Sequence, residues 1–367
     1  MIQQIILKPK QKTMNINQNQ NQHHHQIQQN SSEILNQVRN HYSNLPNNSI
    51  SSRLKTKTIH LKKFNNWLKS VLIELYCSTG DFVLDICSGK GGDLAKWQKQ
   101  KVGYVLFCDL SPNSVKQSLA RYTELYNQNK QKNVPTFKAN FVTADCFMKN
   151  LLQQQAVRQF IPFQFDFVSC QFALHYSWET ESRARQLLHN VSCNLRVGGH
   201  FVCTLPNAHW IMKKFATTVG NTFGNTLYQI RFEKQEEEKN NNNKKRRRLF
   251  GEKYFFSLQD AIDDCPEYLV HPQTFITLAA EYNLDLVQHE PFHQFYAKHV
   301  DRAQFHSLLT RMRADNISME EWEAIGIYSV FAFRKKAAQK EEPPNRSNIV
   351  ASINHTLPTE NDIVVVD

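Results

Sequence analysis

Residues 83–93 read VLDICSGKGGD, an apolar run that contains an acid and then turns through three glycines. Packed Val, Leu and Ile residues cut off by glycines are typical of a buried strand that leads into a tight loop of an α/β protein. In such folds, ligands bind beyond the carboxyl ends of the parallel strands. This stretch therefore predicts a ligand site at the strand end, with Asp85 and Gly89 as candidate contacts.

Two common nucleotide-binding motifs do not fit this loop. A P-loop needs Gly-x-x-x-x-Gly-Lys followed by Ser or Thr, but Gly91 follows Lys90, and Leu84 stands where the first glycine should be. A dinucleotide fingerprint needs Gly-x-Gly-x-x-Gly/Ala, and counting from Gly89 its third position falls on Leu94. The pattern therefore disfavours phosphate binding of the P-loop type and the dinucleotides NAD and FAD.

A second apolar run, YVLFCD at 104–109, ends at Asp109, at the distance where α/β nucleotide sites place an acid for a ribose. Helical spacing of apolar residues predicts a helix over 61–75, and DLSP predicts a helix that begins at Ser111 and Pro112. Further patterns predict strands at 136–145, 163–172, 198–207, 284–289 and 327–335, and a helix at 181–195. Strands that alternate with helices predict a mostly parallel sheet of about seven strands with right-handed crossovers.

The chain ends differ in composition from its middle. Residues 1–57 are rich in Asn and Gln, and polar low complexity of this kind predicts disorder. The run His23 to His25 lies there, either as an accident of composition or as a weak metal site. Residues 336–367 are polar with paired prolines and predict a disordered tail. The expected folded domain is 58–335.

The eight cysteines form no C-x-x-C pair, so the sequence supports neither a zinc site nor a disulfide framework, and we expect no metal. We expect reduced thiols of an intracellular protein, because no signal peptide is evident. No 18-residue apolar run occurs, and we expect no membrane association. The net charge of +11 favours an acidic partner such as nucleic acid, although a basic surface that only keeps the protein soluble is the alternative.

A charged, asparagine-rich insertion at about 234–250 interrupts the second half of the domain. Its length and polarity predict a mobile loop. The KKRRR at 244–248 is typical of a nuclear localisation signal or a nucleic-acid contact, and the alternative is a solvated charge run.

Several linked stretches together resemble the eukaryotic mRNA cap guanine-N7 methyltransferases, a class I family that uses S-adenosylmethionine. They are FNNWLKSVLI, LDICSGKGGDLAKW, CDLSPNSVKQ, VTAD, SCQFALHYSWE, GGHFVCTLPN, CPEYLV and EWEAIGIYSVFAF. Each is weak alone, but their order and spacing over roughly 60–335 are specific. The resemblance implies a Rossmann-like, seven-stranded, mostly parallel sheet with the last strand antiparallel and helices on both faces. It also implies an S-adenosylmethionine pocket over the strand ends and a neighbouring pocket for the guanosine cap.

The resemblance assigns the cofactor site residue by residue. It implies a lysine for the methionine carboxylate, an aspartate for the ribose hydroxyls and an aspartate for the adenine amino group. The implied cofactor residues are Lys69, Gly89, Asp109, Asp145, Gln171 and Tyr176, to which the strand-end acid Asp85 is added. The alternatives are a solvent-facing helix lysine for Lys69 and an ordinary helix-flanking acid for Asp109.

The resemblance also implies a cap site with cations for the triphosphate, rings facing the purine and a glutamate that accepts from guanine N1–H and the N2 amine. The implied residues are Asn65, Asn66, Lys90, Leu94, Arg121, His175, Pro206, Glu267 and Tyr328. Guanine N7 carries a free lone pair, so no catalytic base is expected. Aromatic core packing is the alternative for ALHYSW.

One departure from the family pattern concerns Cys87, which stands where the family usually has the first glycine of Gly-x-Gly. A side chain there predicts weaker S-adenosylmethionine binding. The departure leaves open a cap- or RNA-binding protein that has lost activity, and a methyltransferase acting on another RNA is a third hypothesis. The expected setting is a nuclear monomer that acts on 5′-capped RNA, with other capping-machinery proteins as possible partners.

Overall fold

The computed structural model of the protein describes residues 56–158, 164–233, 248–337 and 357–366. The strands in chain order are β1 Phe82–Ile86, β2 Tyr104–Asp109, β3 Lys138–Thr143, β4 Phe165–Gln171, β5 Leu195–Pro206, β6 Thr222–Gly224, β7 Tyr228–Phe232, β8 Lys253–Leu258, β9 Ile262–Tyr268, β10 Leu284–Pro291, β11 Tyr328–Lys335 and β12 Val364–Val365. The helices are α1 Ile59–Tyr76, α2 Leu94–Gln100, α3 Pro112–Gln131, α4 Gln155–Arg158, α5 Glu181–Asn194, α6 Ala208–Ala216, α7 Pro272–Glu281, α8 Phe292–His299, α9 Ala303–Met312 and α10 Met319–Ile325. Short 3₁₀ turns span Leu151–Gln153, Leu174–Glu179 and Glu360–Asp362.

The large sheet has eight strands in the order β10-β11-β5-β4-β1-β2-β3-β12. β1 is parallel to β2 and to β4, and the outer pairs β2–β3 and β4–β5 are also parallel. β11 runs antiparallel to both β5 and β10. The predicted α/β fold is confirmed, with β11 as the antiparallel last strand of the predicted domain 58–335, whereas β12 adds an eighth strand to the seven predicted. The parallel strands place their carboxyl ends at one edge.

Side chains on both faces of the sheet are buried, as the apolar strand sequences predict. Along β1, Val83 belongs to one apolar cluster, whereas Leu84 and Ile86 belong to another. Fully buried tryptophans close both layers, Trp97 in the first cluster and Trp178 in the second. Helices therefore cover the sheet on both sides and leave its strand ends as the accessible edge.

The predicted start of α3 is confirmed, because the Ser111 side chain accepts a hydrogen bond from Ser114 N–H at 3.2 Å and Pro112 is the first helical residue. The fifth strand begins at Leu195 rather than at 198. None of the described helices is long and apolar enough to cross a membrane.

The tail prediction for 336–367 is wrong over 357–366. There, β12 lies parallel to β3, with Val364 opposite Val142 and Val365 opposite Thr143. Val366 N–H donates to Thr143 O at 2.9 Å. Three valines in a row can pair with an open sheet edge and bury one side chain, which polar composition averaged over the tail conceals.

A second sheet of four antiparallel strands, β6-β7-β8-β9, was not predicted. Its strands β7 and β8 flank the insertion, whose residues 234–247 lie outside the described residues, as do 1–55 and residues 338–356 of the predicted tail. The disorder predictions for those segments stay predictions.

Candidate functional site

A cavity of about 360 Å³ opens at the carboxyl ends of β1, β2 and β4. Eight of the predicted cofactor and cap residues line it, namely Lys69, Asp85, Gly89, Lys90, Asp109, Arg121, Gln171 and Tyr176. The glycine loop, the start of α3 and the Leu174–Glu179 turn form its walls. The cavity lies where strand-end ligand sites are expected in this architecture.

The loop after β1 has a backbone that favours glycine. Gly89 and Gly91 have φ of +54° and +70°, and Cys87 has the same left-handed conformation at +57°. A Cβ at Gly91 would lie 2.6 Å from Ser118 Oγ, whereas a Cβ at Gly89 would meet nothing within 4 Å. Gly91 is therefore required by packing, and Gly89 leaves open space beside the cavity.

Asp109 is held by the backbone of the same loop. Gly89 N–H donates to its Oδ2 at 2.8 Å, and Ser111 N–H donates to its Oδ1 at 2.9 Å. Burial raises the pKa of Asp109, and these two hydrogen bonds oppose the rise. Each carboxylate oxygen has one donor and keeps acceptor capacity for a ligand.

A buried charge cluster lies on the α1 side of the cavity. Lys69 Nζ is 2.6 Å and Lys96 Nζ 2.8 Å from Asp93 Oδ1. Burial alone would raise the pKa of Asp93, but the two lysines hold it well below its usual value. Burial and the neighbouring Asp93 raise the pKa of Asp85, which accepts from Trp97 Nε1 at 3.1 Å. Lys69 thus reaches the cavity already paired with an acid.

Asp145 follows β3 and does not line the cavity itself, but it contacts two residues that do. Phe147 N–H donates to its Oδ1 at 2.8 Å, and Arg183 Nη2 lies 3.4 Å from its Oδ2. Both partners line the cavity wall. Gln171 is oriented by Thr204, whose hydroxyl donates to Gln171 Oε1 at 3.0 Å.

A second group of predicted residues lies beside the turn that follows β4. His175 Nε2 is 3.4 Å from Glu267 Oε1, and the rings of His175 and Tyr176 are 4.3 Å apart. Tyr254 Oη donates to Glu267 Oε2 at 2.5 Å. Burial, and then the charge of Glu267, raise the pKa of Tyr254, which keeps its hydroxyl proton. Glu267 is therefore a buried acid with a fixed donor on one oxygen.

Aromatic rings connect the cavity to Tyr328 and Pro206. Phe172 lines the cavity and lies edge-on to Tyr328, with ring centroids 5.0 Å apart. Tyr328 is opposite Pro206 in the β5–β11 register. These two predicted residues therefore lie next to the cavity and to each other.

Only Lys90 and Arg121 of the nine predicted cap residues line the cavity. Besides the group around His175, Glu267, Tyr328 and Pro206, the residues that do not line it are Asn65, Asn66 and Leu94. Asn66 Oδ1 accepts from Lys96 Nζ at 2.8 Å, and Leu94 lies against Gly91. The Asn65 side-chain oxygen is buried and accepts no hydrogen bond from the described part of the chain. Lys90 and Arg121, which do line the cavity, are hydrogen-bonded to each other: Arg121 Nη1 donates to Lys90 O at 2.8 Å.

Residues 24–336 of the chain match the model of the mRNA (guanine-N(7))-methyltransferase domain family. The chain belongs to this family. It is thus a member of a family of S-adenosylmethionine-dependent methyltransferases, and the resemblance inferred from its motifs is confirmed.

Relatives in plants and yeast agree with the membership. The mRNA cap guanine-N(7) methyltransferase 1 of Oryza sativa subsp. japonica is 41% identical over 334 residues, 89% of this chain and 87% of the relative. The protein of the same name from Arabidopsis thaliana is 38% identical, over 82% of this chain and 81% of the relative. The mRNA cap guanine-N(7) methyltransferase of Schizosaccharomyces pombe is 34% identical, over 84% of each chain.

Among solved structures, an S-adenosylmethionine-dependent methyltransferase from Clostridium acetobutylicum is 13% identical and has a TM-score of 0.41, over 76% of this chain and 92% of that chain. The assignment to the guanine-N7 methyltransferase family does not rest on this distant likeness.

Several side chains of the candidate site were not predicted from the sequence. Asp93 lies in the stretch 83–93, three residues before Lys96, and this i,i+3 spacing of opposite charges could have indicated the ion pair. Arg183 lies 3.3 Å from Glu179, which precedes the extended N-cap Thr180 of α5, so no helical spacing indicated this pair. Tyr254 is opposite Glu267 only because β8 pairs with β9, and no local pattern indicates that pairing.

Proposed function

We propose that the protein transfers a methyl group from S-adenosylmethionine to N7 of the 5′ guanosine cap of mRNA. One observation carries the proposal beyond family membership. The buried Glu267 and His175, which suit a guanine edge, lie beside the Tyr176 wall of a strand-end cavity, which suits the cofactor. The proposed guanine site and the proposed cofactor site therefore meet where His175 packs against Tyr176.

The residues of the cavity fit S-adenosylmethionine. Its volume of about 360 Å³ lies in the range of small-molecule sites. The open space at Gly89 allows a ligand to approach the backbone, and Asp109 presents a fixed pair of acceptors for two ribose hydroxyls. Lys69 and Asp85 supply one cation and one acid for the amino-acid end, and Asp145 supplies an acceptor for the adenine amino group.

S-adenosylmethionine, when bound, supplies a methyl group on a positively charged sulfur. This chain's part is to hold the guanine beside it. Glu267 Oε1 accepts from the N1–H and N2 amine edge, His175 offers a ring N–H, and Lys90 and Arg121 offer positive charge to the triphosphate. N7 has no proton to lose, so positioning replaces base catalysis and can contribute roughly 7–11 kcal/mol in well-oriented systems.

A methyl-transfer assay on GpppRNA with labelled S-adenosylmethionine tests the proposal. We expect label in 7-methylguanosine after nuclease digestion. Transfer to an internal base would indicate a methyltransferase acting on another RNA. Capped RNA binding with no S-adenosylmethionine binding by calorimetry would indicate an inactive cap-binding protein on the same fold.

Capped RNA is the proposed substrate, and the nucleus is the proposed location. The supports are the family membership, the net charge of +11 and KKRRR at 244–248. Replacing the five basic residues with alanine in a fluorescent fusion should reduce nuclear accumulation if the run is a localisation signal. Unchanged accumulation together with weaker RNA binding would assign it to RNA instead.

A further inference from the structure

Arg183 is a buried arginine in the wall of the cofactor cavity, to which neither the sequence motifs nor the family match gives a role. It lies in the first turn of α5 and is only 7% exposed. A guanidinium cannot be deprotonated in a protein, so it is buried only where acids or ligands compensate its charge. Its surroundings therefore indicate its task.

Two carboxylates and one ring surround Arg183. Its Nη2 lies 3.4 Å from Asp145 Oδ2, and its Nε lies 3.3 Å from Glu179 Oε2. Its Cζ lies 5.6 Å from the ring centroid of Phe147. The planar group thus lies between the segment after β3 and the turn after β4, whose residues Phe147 and Glu179 line the same cavity.

Asp145 is the residue that Arg183 constrains. Phe147 N–H donates to Oδ1 at 2.8 Å, and Arg183 provides the donor on Oδ2. With a donor on each oxygen the carboxylate plane is set, and the lone pairs left over can accept from a ligand. Glu179 Oε2 lies 3.3 Å from Arg183 Nε, an ion-pair contact without a hydrogen bond that adds a second compensating charge beside the guanidinium.

A neighbour on the same helix shows that helix stability does not explain this arrangement. The Arg185 side chain is 37% exposed and pairs with Glu181 at 2.7 Å and Glu281 at 2.6 Å. Surface pairs of this kind contribute little to stability. Arg183 also has two acidic neighbours but is buried in the wall of the cavity.

We propose that Arg183 is a positioning residue that makes the cofactor site selective for a 6-amino purine, an inference that rests on the proposed function. An ionised carboxylate only accepts hydrogen bonds, so a fixed Asp145 accepts from a 6-amino group and opposes a 6-keto oxygen. Without Arg183, Asp145 can rotate away and so tolerate the keto group. Arg183 acts through Asp145 and leaves the methyl-transfer chemistry to other residues.

Calorimetric titration of the full chain with S-adenosylhomocysteine and S-inosylhomocysteine tests this, because the two ligands differ at the purine 6-position. The wild type should prefer the adenosyl ligand by at least about tenfold. Arg183→Gln should lower adenosyl affinity by about tenfold, because the charge-assisted contact between the fixed Asp145 and the 6-amino group is lost. Inosyl affinity should change by less than about twofold, because the 6-keto group does not make that contact. Arg185→Gln, the matched control, should leave both affinities within about twofold.

Other outcomes overturn the inference or the proposed function separately. Equal losses for both ligands, or an unchanged adenosyl preference, would show that Arg183 is only structural. A wild type that binds neither ligand would reject the cofactor site itself before any variant is made. Thermal melting without ligand checks the fold, and if Arg183→Gln does not fold, Arg183→Lys, which keeps the charge but cannot bridge both acids, is compared in the same way. Additive effects of Arg183→Gln and Asp145→Asn on adenosyl affinity would also overturn the inference, because residues that act through one another are not additive.

Discussion

The two ends of the site are built differently. At the end proposed for the cofactor, which we call the cofactor end, Asp109 is held by backbone N–H groups of Gly89 and Ser111, from loops that directly follow β1 and β2. At the end proposed for guanine, which we call the guanine end, Glu267 accepts a hydrogen bond from the side chain of Tyr254 on the neighbouring strand. His175 Nε2, from the turn after β4, lies 3.4 Å from Glu267 without a hydrogen bond. The first end belongs to the large sheet, and the second needs the small sheet as well.

This difference determines what each end does before a ligand arrives. Asp109 has its backbone donors already, so the cofactor end is preorganised. Both ring nitrogens of the buried His175 lack hydrogen bonds within the part of the chain that the structure describes. Buried polar groups without partners are costly, and a guanine edge would satisfy them. The guanine end should therefore depend more strongly on its single acid.

Glu267→Gln should produce the largest effect. Glutamine offers one acceptor and one misdirected donor where guanine presents two N–H groups, and charge-assisted bonds are worth about 1.5–3 kcal/mol each. We expect kcat/KM on GpppRNA to fall on the order of a hundredfold, with unchanged S-adenosylmethionine affinity by calorimetry.

Caps with altered bases sharpen the Glu267 experiment. An inosine cap lacks the N2 amine, so it should be a poorer wild-type substrate but lose less on mutation. An adenosine cap should be refused, because it lacks the N1–H partner. Equal methylation of adenosine and guanosine caps by the wild type would place the guanine elsewhere.

Asp109→Ala should have the next largest effect, and at the opposite end. Loss of the acceptors for two ribose hydroxyls should weaken S-adenosylmethionine binding by about 1–3 kcal/mol, measured by calorimetry. Asp81→Ala, at the amino-terminal side of β1, is the control and should not change the affinity. If the folded Asp109→Ala variant binds as tightly as the wild type, the ribose assignment is wrong.

The cofactor end was largely predictable from the sequence, because strand, glycine loop and acid are contiguous. Residues 83–93 and 104–109 alone led to the cavity and to Asp109. The guanine end was reached only through resemblance, since Glu267 and His175 come from segments far apart in the chain, β9 of the small sheet and the turn after β4. Propensity does not specify which strands pair, and the small sheet was missed for that reason.

The C-terminal strand shows the same limit in a different way. Average polarity predicted disorder for the whole tail, yet β12 needs only a few apolar residues because β3 offers a ready edge. Whether an edge is open depends on the rest of the fold. No pattern within 357–366 could show it.

A substitution at the end of β12 should have a smaller effect, confined to the cofactor end. Val366 is 9% exposed and Val365 58%, so the two valines form a matched pair. Val366→Ser should lower the melting temperature by about 2–4 °C and weaken S-adenosylmethionine binding a few-fold, because β3 leads into Asp145. Val365→Ser should change neither. Equal effects of the two substitutions would mean that the strand is not docked as described.

Cys87→Gly should have the smallest effect, and it tests whether the cofactor end is set by backbone alone. Cys87 has φ of +57°, where a side chain costs roughly 1–2 kcal/mol and glycine does not. Glycine also loses roughly 0.5–1 kcal/mol through chain entropy, so stability should change little. The loop path is kept and room is gained, so S-adenosylmethionine affinity should stay equal or rise up to about threefold. Cys87→Ala separates backbone from thiol, because it keeps the Cβ and removes the sulfur. A large loss of affinity in both variants would show that the thiol itself contacts the ligand, and the cofactor end would then depend on a side chain as much as the guanine end does.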